Sequence, residues 1–283
     1  MAITSALVAL CTDQADTAGE AELHRARLCL LDWLGVTIAG SQEPVVAILA
    51  ADASPDHSAR GQRLIGRQEL TDLRDAALIN GAAGHALDYD DGMPMMMGHP
   101  SVAILPALFA LASDRGINGC RLLRSIVAGA EAAGRMGMMI GADHYARGYH
   151  STGTIGALAG TMAAAYLIDL PLDKAVHALG LAGTRAAGLR ASFGSDAKPL
   201  HAGWAAQIAL TSVLWAANGM TGADDILGCP KGLAHTLSND ADPARCLEQT
   251  DTAFVETITF KAHAACAVTH PAIDAVADLM RIN

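Results

Sequence analysis

Aromatic residues make up only 4% of this 283-residue chain and charged residues 17%, while hydrophobic residues reach 52%. With so few large rings, the apolar content is mostly Ala, Leu, Ile, Val and Met, a profile that favours closely packed helices. Basic residues are scarce as well. The 19 Lys and Arg stand against 29 Asp and Glu, a formal net charge of −10 that argues against a nucleic-acid surface. Mean hydropathy is +0.28, yet no stretch of about 18 apolar residues runs free of charge. Residues 101–113 form too short a run, and 155–168 end at Asp169, so no membrane span is predicted. Residues 1–10 lack the basic start of a signal peptide, and Asp13 and Asp16 follow directly. The expectation is a cytoplasmic protein whose surplus apolar surface is covered by a partner subunit.

Cys11, Cys29, Cys120, Cys229, Cys246 and Cys266 contain no CxxC pair. Neither a zinc site nor a disulfide framework is predicted, and buried free thiols are expected. A Gly-rich phosphate loop, a GxSxG elbow and a Rossmann fingerprint after a strand are also missing. The chemistry that remains is proton transfer.

Apolar residues recur at helical spacing over 21–38, 72–87, 102–112, 122–137, 155–168, 172–181 and 205–217. Gly, Pro or Asp clusters break the pattern at 40–44, 55–61, 92–100, 114–119, 194–199 and 228–232. An all-α domain over residues 1–250 follows. Only 255–260 (VETITF) reads as strand, opening a second, mixed domain over 251–283 that ends with a helix at 271–280. Ala-Gly runs such as Ala157-Leu158-Ala159-Gly160 predict close helix contacts, because Gly costs a helix about 1 kcal/mol relative to Ala and needs another reason to be there.

Four short segments concentrate reactive groups. The first, HALDYDDGMPMMMGHPS (85–101), carries Asp88, Asp90, Asp91, His85 and His99 on an irregular connection between two helices. Loops held by packed helices are where such groups tend to be placed. Its acids are alternatively solvated loop residues, helix caps or, less in keeping with their spacing, metal ligands. In GYHSTGTIG (148–156), His150 precedes Ser151 and Thr152 at the start of an Ala-Gly helix whose N–H groups would face a carboxylate; a capped helix with a solvated histidine is the plainer reading. In RASFGSDAKPLHAG (190–203), Lys198 stands before Pro199, which restricts it to extended geometry ahead of a helix starting near His201. The fourth segment, FKAHAACAVTHP (260–271), holds Lys261, His263 and His270.

These blocks, together with LLDWLGVTIAG near the start and NGAAGHALDYDD with its following HPS, resemble in order the signatures of the MmgE/PrpD family, whose members include 2-methylcitrate dehydratase, cis-aconitate decarboxylase and iminodisuccinate epimerase. The resemblance spans essentially the whole chain. It implies a large helical domain with a smaller α/β lid, a homodimer, and neither metal nor organic cofactor. It also implies proton addition or removal beside a carboxylate of a small di- or tricarboxylate. By position, Asp88, His99, His150 and Lys198 match residues that line the family's site; Thr152, Arg190, His201, Lys261 and His263 are the candidates for substrate contact. KPLHAG resembles the epimerase and decarboxylase branches more than the methylcitrate dehydratases, and Lys261-Ala262-His263 leans towards the epimerases. Gly92 stands where many relatives carry Thr, and relatives continue well beyond Asn283, so most of the lid is expected to be missing.

The resulting expectation has Lys198 and the helix start after His150 holding carboxylates, His99 and His150 exchanging protons, and Asp88 orienting or charge-stabilising one histidine. Two rivals remain open: a truncated, non-catalytic binding or assembly protein of the same fold, and a helical dimer whose ligand is not an acid.

Overall fold

The computed structural model describes residues 2–58 and 60–282; of the break expected at 55–61, Ala59 lies outside them, as do Met1 and Asn283. Twelve helices are found among the described residues: α1 (Ile3–Thr17), α2 (Glu20–Gly40), α3 (Pro44–Asp52), α4 (Leu73–His85), α5 (Pro100–Arg115), α6 (Gly119–Ile140), α7 (Asp143–Ala146), α8 (Ser151–Leu167), α9 (Leu172–Gly183), α10 (Ala197–Ala217), α11 (Leu233–Leu237) and α12 (His270–Ile282). The only paired strands among them are two residues long, β1 (Gln62–Arg63) and β2 (Leu70–Thr71). The chain is all-α, as its patterning predicts. No single helix is long and apolar enough to cross a membrane among the described residues.

Helix α8 forms the centre. Every residue from Ser151 to Leu167 is buried, in keeping with a sequence apolar or small on all sides. Its hydroxyls find partners within the helix and outside it: Thr161 donates to the Ala157 carbonyl at 2.7 Å, and the Tyr166 hydroxyl donates to Asp16 at 2.6 Å. Around it pack α5, α6, α9 and α10, and α4 lies between α2, α5 and α10.

Helices α4 and α10 cross closely. A Cβ added to Gly81 would come within 2.8 Å of the Gly203 Cα, so the two backbones touch where any side chain would hold them apart. A similar approach joins α5 and α8, where a Cβ on Gly160 would lie 2.9 Å from the Ala103 carbonyl oxygen. These contacts account for the glycines at the two crossings and set the distances between the helix ends that carry the site.

Residues 255–260 do not form the expected strand. Phe254–Thr257 winds into a 3-10 turn, and only Thr259 makes an isolated bridge, with Gly92. The buried Glu131 carboxylate accepts the Phe254 N–H at 3.2 Å, and Phe254, Val255 and Ile258 are buried against the helical body. Docking of this turn overrides the β propensity of VETITF. Helix α12 follows, with Ile273, Val276 and Met280 exposed.

All six cysteines are free, but not all are buried. Cys11, Cys29 and Cys246 are, whereas Cys120 and Cys266 are exposed and Cys229 is intermediate. Exposed positions at a helix start and in a terminal loop carry no apolar periodicity that would separate them from buried ones in sequence.

Candidate functional site

Four helix ends meet at one cavity of about 500 Å³. His85 is the last residue of α4, His99 is the N-cap of α5, His150 is the N-cap of α8, and Lys198 is the second residue of α10. All four residues line the cavity together with Asp88; Tyr145, Phe193 and Met97 form part of its walls, and Glu43 and Asp196 border it as well. Three positive helix ends thus point towards one space, an arrangement that favours negative charge, while the negative end of α4 carries a histidine.

Lys198 does not sit in extended backbone. Helix α10 starts at Ala197, earlier than expected, with Asp196 as N-cap, so Lys198 is helical and Pro199 takes a position in the first turn, where its missing N–H costs nothing.

The turn between α4 and α5 sets most of the chemistry. Asp88 adopts φ +50°, and its N–H donates to the His85 carbonyl at 3.2 Å. That left-handed residue, a conformation Asp tolerates better than most, reverses the chain and returns Asp90 beneath His85. His85 Nδ1 lies 2.8 Å from Asp90 Oδ2, and His99 Nδ1 lies 3.3 Å from the same oxygen. His99 Nδ1 also faces the Asp91 carbonyl at 2.6 Å. A carbonyl only accepts, so His99 carries its hydrogen on Nδ1 and its Nε2 has a free lone pair.

The carboxylate in contact with the histidines is Asp90, while Asp88 acts on His99 through its charge. Asp88 is held instead by two ammonium groups, Lys198 at 2.6 Å and Lys261 at 2.8 Å. Two positive charges and one carboxylate leave this group of three with a net positive charge, the local basic character that an acidic protein needs to hold an anionic ligand.

Burial pulls these groups apart in acidity. Asp90 is fully buried, which alone would raise it, but His85 and His99 hold it well below the usual carboxylate range. Its neighbour Asp91 is pushed up to about 8 by burial and by Asp90 and Asp32, against a hydrogen bond from Ser101. Burial lowers His99 to about 4, partly offset by Asp90. His150 is lowered to about 2 by burial, then by His85, His99, His201 and Lys198. Both imidazoles are therefore neutral near pH 7 and able to accept a proton.

The remaining candidates lie around the cavity rather than in its wall. The Thr152 hydroxyl accepts the His99 backbone N–H at 3.1 Å and ties the α8 start to the α5 start. A Cβ on Gly98 would lie 3.0 Å from the Thr152 nitrogen, so the chain before His99 covers this first-turn amide. His201 is buried behind His150. Arg190 donates to the Tyr145 carbonyl at 2.9 Å and stacks 3.9 Å over the Tyr145 ring. Lys261 reaches the site through Asp88, whereas His263 pairs with Asp274 at 2.8 Å, close to His270.

His85 and Asp90 were not among the expected site residues, although both belong to the segment richest in reactive groups. One donor atom each from His85, Asp88, Asp90 and His99 fall within 4.8 Å of one another, a spacing compatible with a divalent cation. Their partners argue against one: both Asp88 oxygens hold lysines, and Asp90 Oδ2 holds two imidazoles.

Imidazoles whose pKa is lowered by burial thus stand beside paired ammonium groups where helix ends of an all-α body meet at one cavity, a set of charges compatible with an anionic ligand. The chain belongs to the MmgE/PrpD family: residues 9–246 match its N-terminal domain. It is similar to a cis-aconitate decarboxylase-like protein, oryM, of Aspergillus oryzae, 30% identical over 277 residues that cover 92% of this chain and 57% of the relative. Cis-aconitate decarboxylase of Aspergillus terreus is 29% identical over 279 residues (92% and 56%), and that of Homo sapiens 29% identical over 274 (92% and 55%). The chain thus spans a little over half the length of these curated relatives.

Proposed function

We propose that this chain carries a proton-transfer site acting beside a carboxylate of a small di- or tricarboxylate, with no cofactor taking part, and that decarboxylation of a cis-aconitate-like acid is the reaction it serves. The observation that carries the reading is the pairing of two neutral bases, His99 and His150, with Lys198 in one cavity. The names of the similar proteins favour decarboxylation over epimerisation and dehydration.

The chemistry needs these groups. When a carboxyl group leaves as CO2, its bonding electron pair remains on the substrate carbon skeleton, and a proton must then be delivered to carbon beside a remaining carboxylate. Lys198 binds that carboxylate and stabilises the charge that develops, with Lys261 and Asp88 fixing its ammonium. His99, its Nδ1–H held by the Asp91 carbonyl, gives and takes the proton at Nε2. His150, which like His99 packs against the His85 ring, serves the same carbon skeleton.

We also read the chain as a cytoplasmic homodimer. Six free thiols suit a reducing compartment, and Trp204 and Trp215 on α10 expose large rings of the kind subunit contacts cover. Residues 1–250 are read as the helical domain and 251–283 as the start of a lid.

A second reading is favoured by one observation, the burial that lowers His99 to about 4 and His150 to about 2. On that reading the cavity binds a polycarboxylate without turning it over, because imidazoles so far below neutral pKa are weak proton acceptors. Assays of purified protein with cis-aconitate, methylcitrate and iminodisuccinate, run beside calorimetric binding, separate the two. Turnover supports the enzyme, binding alone supports the second reading, and neither overturns both.

A further inference from the structure

His150 and His201 meet nitrogen to nitrogen, Nδ1 to Nδ1, at 3.0 Å, and both rings are buried. Two neutral imidazoles bond this way only when one Nδ1 carries a hydrogen and the other does not, so their tautomers are opposite. The contact is built rather than incidental. The His150 N–H donates to the Gly188 carbonyl at 3.0 Å, and Gly188 lies against both residues at φ +147°. A Cβ there would stand 3.4 Å from His201 Cγ and Nδ1 and 3.5 Å from the His150 Cβ. His201 comes from the early turns of α10, three residues after Lys198, and does not line the cavity.

We propose that His201 is a positioning residue that sets the tautomer of His150 and takes over its surplus proton during the reaction. The proposal rests on the reading that His150 exchanges a proton with substrate. In the resting pair His150 donates from Nδ1 and His201 accepts at Nδ1, which leaves His150 Nε2 bare as the base. His201 then has its hydrogen on Nε2, the tautomer a free imidazole prefers, and His150 is forced into the other.

When His150 Nε2 takes up a proton from water in the cavity, the His150 Nδ1–H bond breaks and a His201 Nδ1–H bond forms. The positive charge ends on His201, and His150 is neutral again with a hydrogen on Nε2, ready to act as an acid. Delivery of that hydrogen to carbon and return of the Nδ1 proton restore the starting pair, so each turnover passes one proton from water to carbon, the one that loss of CO2 consumes. The direction of the shift follows from the surroundings. Positive charge on His150 is opposed by burial and by His85, His99, His201 and Lys198, whereas on His201 only burial and His85 oppose it.

The test is the ring-nitrogen spectrum of protein labelled with 15N-histidine, recorded near neutral pH, with His150→Gln and His201→Asn supplying the assignments. We expect His150 protonated on Nδ1 and His201 on Nε2. In His201→Phe, His150 should move to the Nε2–H form and kcat should fall about 100-fold with KM little changed. In His201→Asn, whose amide oxygen can accept where Nδ1 stood, His150 should keep its Nδ1–H and kcat should recover in part. Identical tautomers in the two rings, or a His150 spectrum indifferent to His201→Phe, would overturn the proposal. Because the spectrum is read without substrate, a wild-type protein that turns over no carboxylic acid defeats the proposed function and the shuttle, while the control of tautomer is still decided by the rings.

Discussion

His99 gives its Nδ1–H to the main-chain carbonyl of Asp91 across 2.6 Å, and this bond decides which nitrogen of the ring can do chemistry. A main-chain carbonyl cannot change its protonation, so Nε2 stays the basic nitrogen through the cycle. His99→Gln should lower kcat by about 10²–10⁴-fold, the range for loss of a general acid or base, with unchanged helicity by circular dichroism. Activity within a few-fold of wild type would remove His99 from the proton path.

Asp88 is expected to matter for stability as well as activity. Burial alone would raise its pKa, but hydrogen bonds and charge from Lys198 and Lys261 bring it below the ordinary value. A carboxylate lowered in the folded state stabilises above its unfolded pKa of about 4, and that contribution is lost as pH falls through the folded value. Asp88→Asn leaves two ammonium groups facing each other and should cost roughly 2–3 kcal/mol near neutral pH, less at acid pH, in urea titrations. An equal cost at both would show that the carboxylate charge is not what matters.

Asp91 and Asp32 give the opposite sign. Burial and neighbouring carboxylates raise Asp91 to about 8, and burial followed by Asp90 raises Asp32 to about 6. Between about pH 4 and these values the folded chain holds protons that the unfolded chain has released, so rising pH lowers stability. Asp91→Asn should flatten the fall in urea midpoint between about pH 5 and 8. A wild-type midpoint that stays level or rises over that range contradicts the assignment.

Gly81 is expected to be irreplaceable for a geometric reason. Gly81→Ala places a methyl 2.8 Å from the Gly203 Cα and must push α4 from α10. An overpacking cost of about 1–3 kcal/mol is expected. The larger effect should fall on kcat, because α4 carries His85 and α10 carries Lys198 and His201. Loss of stability with full activity in the folded fraction would show that the crossing does not set the site.

Much of this molecule is legible in its sequence, and the failures have physical causes. Helices such as α6 and α9 show plain apolar periodicity, and α8 is marked by its small residues. Helix α3 was missed because Pro44–Asp52 is almost uniformly apolar, which leaves no period to read. Helix α1 begins as a similar apolar run and turns acidic at Asp13. VETITF has strand composition, but Glu131 and the α6 surface wind its start into a 3-10 turn. Within the site, the family resemblance points to His99, His150, Lys198 and Asp88, and all four line the cavity. The segments could not pair Asp88 with lysines and Asp90 with histidines, because that exchange depends on the left-handed turn at Asp88. Nor could they show that His201 stands behind His150, which follows from how α10 crosses its neighbours.

The central claim is that this cavity moves protons on carbon beside a carboxylate. Incubation with a small panel of di- and tricarboxylates in D2O, followed by proton NMR, reads that step directly whether the outcome is decarboxylation, dehydration or epimerisation. The account predicts deuterium appearing on carbon beside a carboxylate with wild-type protein, and its loss in His99→Gln and Lys198→Ala. No exchange with the wild-type chain, or exchange that survives both substitutions, would contradict it.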